Sequence, residues 1–359
     1  MGAVILASSL AAALAMLVQS RHEAPGLGRF FLTMPYVVFA LLVPLQFPIE
    51  NVVARAVTAG QYAWWSNFKI FAFCCGRGPL THPMVDGPGV FMTILLLPFS
   101  PHRTMLPSTV GTRVARATKK PEPVEGQLAE FAAKLALKAT LLSTFVFVMT
   151  KHPPQNIYFR DLVLCFALYA FLGVLEDGLG CVSATLLNNL PVERSFEKFY
   201  LSSSIREFWS KRWNQHVAKL LKCVVYEPIV EGRVLRAEHH HHHHRRPGRP
   251  SVGARVLGTL ATFLASGVMH EVVFAYVTGG VVTYDWLAFF TLQGAYVLCE
   301  SVLHLTLRNR WNVEVPKWIG IPITWSFLIY TGELHFFKPV RLHGIDTAFL
   351  ASLAGIIKM

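Results

Sequence analysis

The stretch "VLGTLATFLASGVMHEVVFAYV", Val256 to Val277, is long enough to cross a bilayer, yet His270 and Glu271 interrupt it. A span needs ~20 apolar residues, and an ionisable group within one costs ~2.5 kcal/mol or more unless it is paired, so such a group points to function by default. Thr259, Thr262, Ser266 and His270 follow at three- and four-residue steps and form one polar stripe on a helix. Gly258, Ala261, Ala265 and Gly267 let a neighbouring helix approach closely, which places this helix inside a bundle. Glu271 diverges from His270 by ~100° and is not expected to pair with it; it is expected to orient a neighbouring helix or a water.

The rest of the chain has the same character. Of 359 residues, 53% are hydrophobic and 15% charged, and the mean hydropathy is +0.42, a balance that a water-soluble globule of this length seldom carries. Apolar runs recur near residues 3–18, 30–47, 57–75, 89–99, 130–150, 161–175, 256–277, 285–307, 316–331 and 344–357. Some are too short or too polar to be simple spans, so the expectation is an all-α polytopic membrane protein with about eight transmembrane helices. The first run lacks a basic leader and a small-residue cleavage site and reads as a retained helix. Leu6 stands where an acylation signal needs Ser or Thr.

The net charge of +12 is concentrated in two places. Arg103, Arg113, Arg116, Lys119 and Lys120 share one loop, and a second set of Lys and Arg runs from Arg206 to Arg255; both are expected in the cytosol. The chain thus divides into N-terminal transmembrane helices over 1–100, a basic cytosolic loop over 101–127, and a core over 128–359 that carries a flexible loop at 231–255. His239 to His244 within that loop read as a low-complexity insert or an engineered tag, with no part in catalysis. Basic loops beside a membrane suit anionic lipid or a phosphorylated cosubstrate; nucleic acid is disfavoured, because no aromatic-basic module is visible. Six cysteines, Cys74, Cys75, Cys165, Cys181, Cys223 and Cys299, show no paired spacing, so neither a metal site nor a disulfide framework is expected.

The segment "SSSIREFWSKRWNQHVAKLLKCVVYEP", Ser202 to Pro228, reads as one interfacial amphipathic helix ending at its proline. At 100° per residue, Ile205, Phe208, Trp209, Trp213, Leu220 and Val224 share a face, opposite Glu207, Lys211, Gln215 and Lys222; Asn214 lies on the border. Glu300 and His304, at i and i+4, are expected to pair as a structural contact. "HPMVD" at His82 to Asp86 is one residue short of an H-x4-D acyltransferase site and is set aside.

Three stretches together resemble the plant wax synthase branch of the membrane-bound O-acyltransferase superfamily, the jojoba-type long-chain-alcohol O-fatty-acyltransferases. They are "NFKIFAFCCGRGPL" at Asn67 to Leu80, the Ser202 to Pro228 segment, and "FLASGVMHEVVFAYVTG" around His270. Their order and spacing agree across nearly the whole chain. The departures are Ser210 for the usual Gly, Lys211 for the first Arg, and the histidine-rich insert. The resemblance implies the membrane-bound O-acyltransferase fold and a multi-pass enzyme of the endoplasmic reticulum membrane that joins the acyl group of acyl-CoA to a long-chain fatty alcohol or, alternatively, a sterol. It carries the general base onto His270 and an assisting amide onto Asn214. Lys211, Arg212, Trp209 and Trp213 are expected to hold acyl-CoA at the interface, with Ser266 and Glu271 supporting the base, membrane lipid around the protein, acyl-CoA as co-substrate and no bound cofactor. A multi-pass lipid transporter would also place His and Glu in the membrane, but it does not account for the motifs.

Overall fold

The computed structural model describes residues 2–83, 85–98, 100, 124–186, 194–236 and 250–357. The basic residues from Arg103 to Lys120 and the run His239 to His244 lie outside the described residues. In chain order the helices are α1 (Gly2–Gln19), α2 (Leu27–Leu42), α3 (Val52–Thr58), α4 (Asn67–Cys74), α5 (Pro88–Leu96), α6 (Val124–Lys151), α7 (Ile157–Leu186), α8 (Ile205–Glu207), α9 (Gln215–Leu221), α10 (Glu227–Glu231), α11 (Val252–Thr278), α12 (Asp285–Trp311), α13 (Lys317–Gly332), α14 (Lys338–Leu342) and α15 (Ile345–Ile357). The described residues contain no strand.

Among the described residues five helices are long and apolar enough to cross a bilayer, and a sixth crossing follows if the pair from Lys317 to Leu342 and from Ile345 to Ile357, bent by 69°, counts as one span. This multi-pass membrane protein is compatible with the expected eight crossings, but several apolar runs fold as short or interrupted helices. The run 57–75 is such a case: a π-helical segment, Ala59–Ser66, joins α3 to α4. The run 89–99 is another. With nine residues α5 is ~14 Å long, half the ~30 Å of a hydrocarbon core. Its last carbonyls would be orphaned there, and buried side chains take them up: Lys69 Nζ donates to Ile94 and Leu97 oxygens at 2.5 and 2.6 Å, and Gln61 Nε2 to the Leu96 oxygen at 2.6 Å.

Helices α1, α2, α4 and α5 close around Leu17, Tyr36, Phe73, Phe91 and Leu95, while α6, α7 and α15 close around Val146, Phe171 and Leu350. A third cluster is aromatic: Phe199, Phe208 and Leu328, with Phe166, Tyr169, Trp209, Trp213 and Trp325 against them. Between these packed groups the bundle leaves a cavity.

Candidate active site

The cavity measures about 630 Å³ and is walled mainly by aromatic and aliphatic side chains from α3 to α4, α7, the 195–217 region, α11, α12 and α13. His270 and Asn214, 56 positions apart in sequence, both line it, as do Trp209 and Trp213. Three π-helical segments border it, Ala59–Ser66, Phe208–Arg212 and Glu333–Phe337. A π turn carries an extra residue and so aims side chains where a regular helix would not.

His270 sits on the inner side of α11. Glycines let the helix in: a Cβ at Gly267 would stand 2.9 Å from the Leu287 oxygen on α12, and one at Gly258 would stand 2.9 Å from the Tyr226 ring. The imidazole is boxed by rings, with Phe290 stacked at 3.9 Å and Trp64 edge-on at 4.6 Å between centroids. Its Nδ1 lies 2.8 Å from the Ser266 carbonyl oxygen. A carbonyl oxygen only accepts, so in the neutral ring Nδ1 carries the proton and Nε2 is left as the basic nitrogen. The Ser266 hydroxyl is farther from Nδ1, at 3.5 Å, so Ser266 supports the ring chiefly through its backbone.

Glu271 is buried and faces away from that task. Its carboxylate accepts from the Thr283 and Tyr284 amides at 2.6 and 2.8 Å, from the Thr283 hydroxyl at 3.2 Å, and from the Leu287 amide at 3.3 Å. It thereby fastens the start of α12, the neighbouring helix that carries Phe290, as the one-residue offset from His270 suggested.

The expected single helix over Ser202 to Pro228 is a correction. The chain runs through α8, a π turn over Phe208–Arg212, an extended Trp213 and a left-handed Asn214 (φ 40°, ψ 63°) before α9, then through a second π turn, Lys222–Tyr226, into α10. Pro228 stands in the first turn of α10, not at a helix end. Asn214 caps α9: its Oδ1 accepts from the Val217 amide at 3.4 Å, and the residue also lines the cavity. Trp209 and Trp213 are turned inward and line the cavity. The Trp209 indole donates to Gln293 at 3.2 Å, and Trp213 stacks on Phe208 at 5.3 Å.

Lys211 is exposed, whereas the Arg212 guanidinium is engaged within the fold. It donates to Glu207 Oε1 from Nε and Nη2 at 2.9 and 2.8 Å, and from Nη1 to the Glu197 and Lys198 carbonyls at 3.3 and 3.1 Å. Of the two cations expected to meet phosphate, only Lys211 stands clear. Glu300 also departs from expectation: it accepts from the Ile205 and Arg206 amides at 3.0 and 2.9 Å, capping α8, while His304 is exposed.

Sequence reasoning missed several buried polar groups near the cavity. Glu176 on α7 lines it, accepting from the Ser195 amide at 2.8 Å, and His216 Nε2 lies 3.6 Å from the same oxygen. An acid in the middle of the apolar run "YAFLGVLEDGLG" is the signal that could have found Glu176. Arg77, 1% exposed, donates to Glu231 at 2.7 Å and to Glu227 at 3.3 Å. It ties the first quoted stretch to the end of the second.

Against known proteins, the model described as "Membrane bound O-acyl transferase family" matches residues 192–292, the segment that holds both Asn214 and His270. The chain is 27% identical over 315 residues to "Acyl-CoA--sterol O-acyltransferase 1" of Arabidopsis thaliana, covering 85% of this chain and 80% of that protein. It is 27% identical over 323 residues to "Probable long-chain-alcohol O-fatty-acyltransferase 9" of the same plant, covering 89% and 84%. To "Long-chain-alcohol O-fatty-acyltransferase" of Simmondsia chinensis it is 25% identical over 324 residues, covering 89% and 83%.

Proposed function

We propose that this chain is a membrane-bound O-acyltransferase that transfers a fatty acyl group from acyl-CoA to the hydroxyl of a long-chain alcohol, giving a wax ester, in the endoplasmic reticulum membrane, a reading supported by the match over residues 192–292 and by the likeness to long-chain-alcohol acyltransferases. The observation that carries this reading is that His270 and Asn214 line one largely apolar cavity. The cavity suits an alkyl chain, and its two polar groups suit the reacting end. Nε2 of His270 takes the proton from the alcohol as the oxygen attacks the thioester carbonyl; the C–O bond forms, the C–S bond breaks, and the imidazolium returns the proton to the departing thiolate. The Asn214 NH2 group donates to the carbonyl oxygen as it gains negative charge, a role in which one lost donor costs ~10²–10³ in rate.

Acyl-CoA enters as co-substrate, and the reading invokes no metal or bound cofactor. Its phosphates stay in water on the cytosolic face, where Lys211 is exposed. From Arg255 to His270 the helical rise is ~22 Å, so pantetheine spans from that face to the base. Arg212 contributes there by shaping the 195–212 region, with its own charge partnered by Glu207.

The test is expression in cells unable to make neutral lipid esters, fed either a long-chain alcohol or a sterol, with the product identified by mass spectrometry. Wax ester supports the proposal. Steryl ester would shift the acceptor to a sterol, the reading favoured by the likeness to the Arabidopsis sterol acyltransferase. No ester from a normally inserted protein would overturn acyl transfer and favour a lipid transporter.

A further inference from the structure

Asn214 holds a left-handed backbone conformation, φ 40°, which among residues with a Cβ asparagine adopts most readily. The hydrogen bonds around it show what fixes it in place. Trp213 donates its amide to the Phe208 oxygen at 2.9 Å on one side, and on the other Gln215 donates to the Ser195 oxygen at 2.7 Å. Glu197 donates to the Arg212 oxygen at 3.0 Å. Residues 195–197 thus run beside 212–215 and grip Asn214 from both flanks.

That neighbouring strip is itself held from the membrane span behind it. Ser195 donates its amide to Glu176 Oε1 at 2.8 Å, and the same oxygen lies 3.6 Å from Nε2 of His216, two residues beyond Asn214. Glu176 and His216 are 7% and 1% exposed. Neither ring nitrogen of His216 has a hydrogen-bond partner among the described residues, and the Trp65 ring, another part of the cavity wall, packs at 5.7 Å from the imidazole. A carboxylate in a span is expensive unless its contacts repay it, and both of these contacts belong to the Asn214 neighbourhood.

We propose that Glu176 is a positioning residue for acyl transfer, holding the Asn214 amide in place through its hydrogen bond to the Ser195 amide; this rests on the acyl-transfer reading above. A group that acts only through Asn214 has nothing left to do once the amide is gone. A group that met the substrate itself would act independently of it.

A double-mutant cycle on the full-length protein purified in detergent, assayed with a long-chain acyl-CoA and a fatty alcohol, separates these cases. Glu176→Leu is expected to lower kcat ~10²-fold, as a displacement of ~1 Å at a reacting group can, with little change in either KM. Glu176→Gln keeps an acceptor for the Ser195 amide and is expected to retain most of the activity. Glu176→Leu combined with Asn214→Ala should be no worse than Asn214→Ala alone, to within about twofold. The proposal is overturned if Glu176→Leu leaves kcat unchanged, if Glu176→Gln is as impaired as Glu176→Leu, or if the two losses multiply in the double variant. Should Glu176→Leu not fold, Glu176→Ala removes the same acceptor and takes its place in the cycle, with the same non-additivity expected and the same multiplication overturning it. Absence of ester from the wild-type protein would instead sink the acyl-transfer reading.

Discussion

Glu271→Ala tests whether the acid beside His270 serves the architecture or the chemistry. The carboxylate receives four hydrogen bonds, three of them from backbone amides at the start of α12. Each charge-assisted bond is worth ~1.5–3 kcal/mol, but Tyr284 is exposed and water can replace part of what is lost, so the net cost is about 2–4 kcal/mol. In a protein this size that lowers Tm by roughly 3–5 °C. Activity should fall as well, because Phe290 on α12 stacks on the imidazole and moves with its helix, but by less than removal of the base itself. Glu271→Gln should be milder: one oxygen still accepts from Thr283 and Tyr284, and only the Leu287 amide faces a donor, at a cost of ~1 kcal/mol. Thermal unfolding followed by tryptophan fluorescence, beside initial rates, measures both. If Glu271→Gln kept its Tm but lost as much activity as a variant without the base, Glu271 would be part of the chemistry and the assignment of its contacts to helix capping would be wrong.

His270→Ala is expected to lower kcat by ~10²–10⁴ with normal membrane insertion, whereas Ser266→Ala should stay within about tenfold of wild type because the supporting contact is a backbone carbonyl; initial rates on microsomes check both. Lys211→Ala should raise the apparent KM for acyl-CoA and flatten its salt dependence, while Arg212→Ala should lower kcat for either substrate; kinetics at two ionic strengths separate them. The Arg77 guanidinium bonded to Glu231 holds that carboxyl below the usual glutamate value of 4.5. Its folded pKa is depressed, so the contribution is fully present above the usual value and is lost as pH falls through the folded one. Melting curves of wild type and Arg77→Met should therefore converge on acidification from pH 7, and a gap that did not narrow would refute the pairing.

Much of this arrangement was legible in the chain. Apolar runs broken by His270 located the span, small residues at Gly258 and Gly267 located its inward side, and the offset of Glu271 gave its separate duty. What misled was the assumption of a constant 100° per residue between Ser202 and Pro228. The π turns on either side are held by tertiary contacts, with Ser195 and Glu197 among them, and no local propensity announces them, although an asparagine at 214 is the residue type that best tolerates the positive φ found there. The number of unbroken spans was harder to read for a related reason. Length and hydropathy cannot distinguish a span from a half-length helix such as α5 when the side chains that satisfy its end, Lys69 and Gln61, lie elsewhere in the sequence. Arg77 was quoted within a motif, but its burial against Glu227 and Glu231 is a long-range fact.

The wall of the cavity has an uneven origin. His270 and Asn214 come from residues 192–292, while most of the apolar surface comes from residues 56–65, 96–98, 165–179 and 325–337. Substitutions in those flanking segments can therefore reshape the space offered to an apolar chain while leaving both polar side chains in place, and an exchange of these segments is the natural way to ask whether they set the choice of acceptor.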